Sequence, residues 1–214
     1  VLASEGVGAD SVNRLERRGL VTIRSREIER DPFAKNGGLG SVQMAGASVR
    51  TLTAEQQIAL GELKTLAAEE AFRVALLHGV TGSGKTEVYL RLAREVCGGG
   101  RSVLMLVPEI ALTSAVTSIF RAAFGGRVAI QHSGLSDGQR HDQWHRIRRG
   151  EVDVVVGTRS GVFAPVADLG LVIVDEEHDG SYKQEENPRY HARSVATVRA
   201  QRAGALVVLG SATP

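Results

Sequence analysis

Lys85 and Thr86 close the run Gly79-Val80-Thr81-Gly82-Ser83-Gly84-Lys85-Thr86, which has the glycine, lysine and hydroxyl spacing of a loop wrapped around phosphate oxygens. Gly79, Gly82 and Gly84 permit a tight turn with backbone N–H groups facing inward, and a following helix adds the positive end of its dipole. Thr81 and Ser83 complete the cradle. Lys85 would neutralise the β and γ phosphates, and the Thr86 hydroxyl would reach a magnesium ion bridging them. ATP and Mg2+ are therefore the expected cofactors.

A second constellation is Asp175-Glu176-Glu177-His178, directly after the apolar run at 171–174. Asp175 would hold magnesium through water, while Glu176 would orient and deprotonate the water that attacks the γ phosphate. Adjacent carboxylates repel each other unless a cation sits nearby, which fits a metal–nucleotide site. Lys85, Asp175 and Glu176 are the catalytic candidates. His178 either relays the state of the nucleotide or is a surface hydrogen-bonding residue. The third constellation, Gly210-Ser211-Ala212-Thr213-Pro214, follows another apolar run. Ser211 and Thr213 could bond the acidic cluster, although an ordinary strand-to-loop turn has the same composition.

These residues need strands that end where the motifs begin. From residue 51 onward helical and strand patterns alternate. Helices are expected at 54–68, 87–96, 110–124, 137–149 and 192–203, and strands at 73–78, 102–107, 128–131, 152–156, 171–174 and 205–209. Such alternation specifies an α/β fold, a parallel sheet with helices on both faces and ligands at the carboxyl ends of its strands. Ahead of it, residues 11–20 read as a short helix and 21–30 as a bent strand or a pair of strands. This pair suits the latter part of a winged-helix module or a plain structural element. The Gly, Ser, Asn and Ala of residues 34–50 read as a flexible linker.

At 214 residues, 43% hydrophobic and 23% charged, the chain can bury one substantial core plus a small appendage. It has no apolar run near the ~20 residues that cross a bilayer and no secretory pattern at its start, so a cytoplasmic location is expected. Cys97, the single cysteine, excludes an internal disulfide and a clustered-cysteine zinc site, and its expected role is packing. A net charge of +2 is too small to imply nucleic-acid binding by itself. The basic run Arg140, His141, His145, Arg146, Arg148 and Arg149 reads as a solvated helix face, and Trp144 within it as a packing residue. Beginning at Val1 and stopping at Pro214, directly after the third motif, the chain is expected to be part of a longer protein.

Together with the phosphate loop, Pro108-Glu109-Ile110-Ala111-Leu112-Thr113, the stretch from Gly157 to Pro165 and above all the stretch from Asp175 to Arg193 resemble the PriA family of replication-restart helicases in superfamily 2. The resemblance covers nearly all of residues 51–214, and Leu15 to Leu20 with Arg30 to Phe33 resemble the end of that family's winged-helix domain. It implies the first of two RecA-like lobes of a motor that pulls single-stranded DNA in the 3′-to-5′ direction at stalled forks. The implied boundaries are 1–33 for the winged-helix remnant, 34–50 for the linker and 51–214 for the lobe.

By the same resemblance Gln56 reads adenine, and Thr113, Thr158, Arg159 and Ser160 grip the DNA backbone. The segment from Ser181 to His191 corresponds to an aromatic-rich loop that reports DNA occupancy to the ATP site. There Tyr182, Tyr190 and His191 offer faces for bases, and Lys183 and Arg189 offer charge. Implied partners are forked and single-stranded DNA, single-stranded DNA-binding protein and other primosome proteins. The family's zinc site, second lobe and arginine fingers lie outside these residues. Asn187, Ser194 and Gln139 depart from the family pattern, which leaves the loop's conformation open. The competing function is a DNA-binding loading scaffold with a dispensable ATPase.

Overall fold

The computed structural model of the chain describes residues 9–22, 51–109 and 114–213. Helix α1 (Ala9–Arg17) comes first, and Gly19 closes it at φ +70, with the Leu20 N–H donating to the Leu15 carbonyl at 3.0 Å. The helix expected at 11–20 thus exists but lies slightly earlier. Val21 and Thr22 are not strand. The rest of the expected strand at 23–30 and the linker at 34–50 lie outside the described residues.

The main unit alternates α2 (Ala54–Ala68), β1 (Arg73–His78), α3 (Lys85–Gly98), β2 (Ser102–Leu106), α4 (Ser114–Phe124), β3 (Val128–Gln131), α5 (Asp137–Arg148), β4 (Val154–Gly157), β5 (Leu169–Val174), the short β6 (Lys183–Gln184) and β7 (Tyr190–His191), α6 (Ala192–Ala203) and β8 (Leu206–Ser211). Six strands form one sheet in the order β1-β8-β5-β2-β4-β3, all parallel. The architecture is a RecA-like α/β lobe.

Period-two alternation distributes the strand side chains between two cores. On β5, Leu171 and Ile173 pack with α2, α3 and α4 residues such as Leu63, Leu92 and Phe120. Val172 and Val174 face the opposite side, with Ile147 of α5 and Ala192, Ala196 and Ala200 of α6. All of β5 is buried, as an apolar run in a central parallel strand requires. The alanines of α6 let that helix lie close against the sheet.

Sheet order brings the motifs together. β8 lies between β1 and β5, so Ser211 ends beside His78, and Val174 pairs with Leu209. The phosphate loop, the third motif and the acids therefore leave three adjacent strand tips. α3 begins at Lys85 rather than at Glu87 because Gly84, at φ +86, occupies the position just outside the helix. α4 is described from Ser114, so Thr113 lies outside the described residues. The strands expected at 152–156, 171–174 and 205–209 run instead over Val154–Gly157, Leu169–Val174 and Leu206–Ser211.

Candidate functional site

The phosphate loop bends through positive φ at Gly82 and Gly84. At Gly79 an added Cβ would lie 2.7 Å from Ser83 Oγ, so a side chain there would displace the Ser83 hydroxyl. The loop and Thr81, Ser83, Lys85 and Thr86 line a cavity of about 470 Å³ that also reaches Asp175 and Glu176. Lys85 Nζ donates to the Gly79 carbonyl at 2.6 Å and pairs with Glu176 Oε1 at 3.3 Å. A cation and the proposed base thus meet across the cavity. Gln56 caps α2, with its Oε1 accepting from Thr53 N at 3.0 Å, while its Nε2 donates to the Ser83 carbonyl at 2.7 Å. The residue expected to read adenine is therefore also tied to the phosphate loop.

Asp175 is held on three sides. Its N–H donates to the Leu106 carbonyl at 2.9 Å, its Oδ1 accepts from the Tyr89 hydroxyl at 3.0 Å, and its carbonyl accepts from the Tyr182 hydroxyl at 2.7 Å. Burial pushes its carboxyl above the usual carboxylate range. The Tyr89 hydrogen bond and Lys85 oppose that shift, and neighbouring Glu176 adds to it. Burial also pushes the Tyr89 and Tyr182 phenols up, so both stay protonated donors. Glu176 adopts a left-handed backbone, φ +44, a conformation that costs a non-glycine residue on the order of 1 kcal/mol. Flanking hydrogen bonds hold it there, Glu177 N to Gly210 O and Asp179 N to Glu176 O, both at 2.8 Å.

The third motif reaches the acids through His178. His178 Nδ1 lies 3.3 Å from Ser211 Oγ, and its Nε2 lies 3.9 Å from Glu176 Oε2. Ser211, fully buried, donates to the Thr213 carbonyl at 2.5 Å. Ser211 thus lies between His178 and Thr213, and Thr213 takes part through its backbone carbonyl rather than its hydroxyl.

The segment after Asp175 is more ordered than a loop. A short 3-10 turn at Gly180–Tyr182, capped by Asp179, leads into the antiparallel pair β6–β7. Here one expectation fails. Tyr182 is fully buried among α6-side core residues with its hydroxyl on Asp175, so it has no face to offer a base. Arg159 braces the same segment, its Nη1 donating to Ser181 O at 3.3 Å and Lys183 O at 3.0 Å. Thr158 is buried and Ser160 exposed. Lys183 pairs with Glu185 at 3.0 Å, and Arg189 Nε donates to the Glu185 carbonyl at 3.0 Å. Tyr190 and His191 are half-buried. Arg193 forms an ion pair with Glu177, closing the segment back onto the acidic motif.

Residues 53–214 match the DEAD/DEAH box helicase family. The chain belongs to that family. Replication restart protein PriA of Bacillus subtilis (strain 168) is 45% identical to this DEAD/DEAH box chain over 204 residues, 95% of the chain and 25% of that protein. The PriA of Synechocystis sp. (strain PCC 6803) is 45% identical over 96% of the chain and 24% of its own length. The chain spans about a quarter of the length of the curated relatives it matches. Among solved structures, RecG bound to a three-way DNA junction is similar at a TM-score of 0.56 and 26% identity, over 77% of this chain and 21% of that one. The Pyrococcus furiosus Hef helicase domain shares the fold at a TM-score of 0.52 and 22% identity, over 75% of this chain and 32% of that one.

For a DEAD/DEAH box protein the donor set fits magnesium nucleotide. Among the described residues no cluster of three or more His, Cys, Asp or Glu is placed to hold a metal alone. Magnesium characteristically binds through one or two protein oxygens plus substrate phosphates, which Thr86 and Asp175 beside the phosphate cavity would allow. Two residues of this DEAD/DEAH box lobe escaped the sequence reading. Phe163, 48% exposed, packs edge-on against Tyr190 with ring centroids 5.0 Å apart, and its signal was an aromatic just beyond Ser160. Tyr89 is fully buried, and its signal was the spacing of one helical turn from Lys85. Trp144, expected to pack, is instead 40% exposed on α5.

Proposed function

We propose that this chain is the ATP-binding first motor lobe of a DNA helicase that moves 3′-to-5′ along single strands and restarts replication at stalled forks. The observation that carries the reading is the convergence of Lys85, Asp175 and Glu176 on the cavity lined by the phosphate loop. The likeness to replication restart proteins supplies the biological setting.

In this mechanism the phosphates of ATP settle against the loop N–H groups and draw Lys85 from its bond with Glu176. Glu176, so released, takes the proton of the attacking water. Thr86 and Asp175 would hold magnesium together with the phosphates, and that ion would offset the charge building on the γ phosphate. His178 and Ser211 carry the occupancy of the site to the third motif, while Arg159 and the 181–191 segment sense a strand lying across the tips. Ser160, Lys183, Arg189, Tyr190 and His191 contact DNA. A second lobe supplies arginine fingers. Single-stranded DNA-binding protein and primosome proteins are the partners, and a zinc site belongs to other parts of the full-length protein.

The test is ATP hydrolysis by the full-length protein with and without forked DNA, beside Glu176→Gln. DNA-stimulated turnover that falls by about 10²–10⁴-fold in the variant, with nucleotide binding retained, is the expected result. Tight fork binding without turnover in the wild type would overturn the motor and leave a loading scaffold.

A further inference from the structure

The motor reading gives no task to Tyr89, yet its side chain is fully buried beside the site and its hydroxyl is hydrogen-bonded to Asp175. Tyr89 lies four residues after Lys85 on α3, so both project from the same helix face. Phenylalanine would serve packing alone, and what tyrosine adds is a hydroxyl, which donates to Asp175 Oδ1 at 3.0 Å. That bond takes one lone pair of Oδ1; the carboxylate also accepts from the Glu176 N–H, and its remaining lone pairs are available to a metal.

Gly210 shows that the fold makes room for this contact. A Cβ built there would overlap the Tyr89 hydroxyl and lie 2.9 Å from Asp175 Oδ1 and 3.1 Å from Tyr89 Cζ. Its backbone is not in the left-handed region, so the demand for glycine is one of space. The Gly210 carbonyl also accepts from Glu177 N, so it binds the acidic motif at two levels.

We propose that Tyr89 is a positioning residue for the magnesium ligand, fixing the Asp175 side chain through its hydroxyl, and that Gly210 is glycine to seat that hydroxyl. The inference rests on the nucleotide-binding reading above. Partners that orient metal ligands are typically worth about 10–100-fold in metal affinity or activity. α3 then carries both the group that holds phosphate and the group that aims the metal's acid.

The test uses the full-length protein and a fluorescent ADP analogue titrated over a range of magnesium concentrations. In Tyr89→Phe the magnesium concentration giving half of the metal-dependent gain in affinity should rise about tenfold, with affinity in EDTA unchanged. A magnesium midpoint equal to wild type would overturn the proposal, as would an equal loss with and without metal, the signature of a merely loosened site. In a second arm, Gly210→Ala should raise the midpoint strongly beside Tyr89 and only weakly in the Tyr89→Phe background. Equal effects in both backgrounds would remove Gly210 as the seat. If wild-type affinity ignores magnesium, the proposed function falls and the inference falls with it. A wild-type response with an unaltered Tyr89→Phe sinks the inference alone.

Discussion

At the scale of single residues, Asp175 combines burial with charge, and its raised carboxyl range has a sign that can be followed. The folded state holds that proton to higher pH than the unfolded chain does. Ionisation as pH rises through the folded range therefore opposes folding, and acidification through it relieves that opposition. Asp175→Asn should accordingly raise the thermal midpoint of the nucleotide-free protein, while removing the further rise that Mg-ATP gives. A lowered midpoint in thermal-shift measurements would contradict this. Lys85, Asp175 and Glu176 were legible because spacing and adjacent carboxylates announce their chemistry. Tyr182 was misread because an aromatic beside charged residues looks the same in sequence whether its ring faces a base or the core. Only the fold showed its hydroxyl on the Asp175 carbonyl.

At the scale of elements, α2, β1, β3 and α6 fell on their expected bounds, since each is long, periodic or flanked by clear signals. The pair β6–β7 and the 3-10 turns at Arg159–Phe163 and Gly180–Tyr182 were not foreseen. Two-residue strands carry no periodicity; here Arg159 bonds the Lys183 carbonyl of β6 and Asp179 caps the turn that precedes it. α6 shows what a helix needs to support the site. Ala192, Ala196 and Ala200 are fully buried against the sheet, so Ala196→Leu should overpack that face and destabilise the protein by about 1–3 kcal/mol. A chemical denaturation midpoint unchanged by the substitution would show that α6 has slack.

At the scale of the whole molecule, a net charge of +2 gives no general attraction for DNA, so the strand binding proposed above would rest on local groups at the strand tips. Arg189→Ala should then lower the slope of log affinity for single-stranded DNA against log salt by about 0.7, the share of one phosphate contact. An unchanged slope would place Arg189 off the strand. If the proposed motor needs a second lobe, these 214 residues by themselves should bind Mg-ATP weakly and hydrolyse it slowly, and fast DNA-stimulated turnover by them would refute that need. Position within the sheet adds one more property. β1, which carries the phosphate loop, is an edge strand bonded, among the described residues, only to β8, with Val74 and Leu76 exposed, whereas β5, which carries the acids, is buried in the middle. Nucleotide bound as proposed would bridge an edge strand and a central one. Backbone amides of β1 should trade hydrogen with solvent sooner than those of β5, and a bound triphosphate, gripping both, acts as a staple that slows the rim far more than the centre.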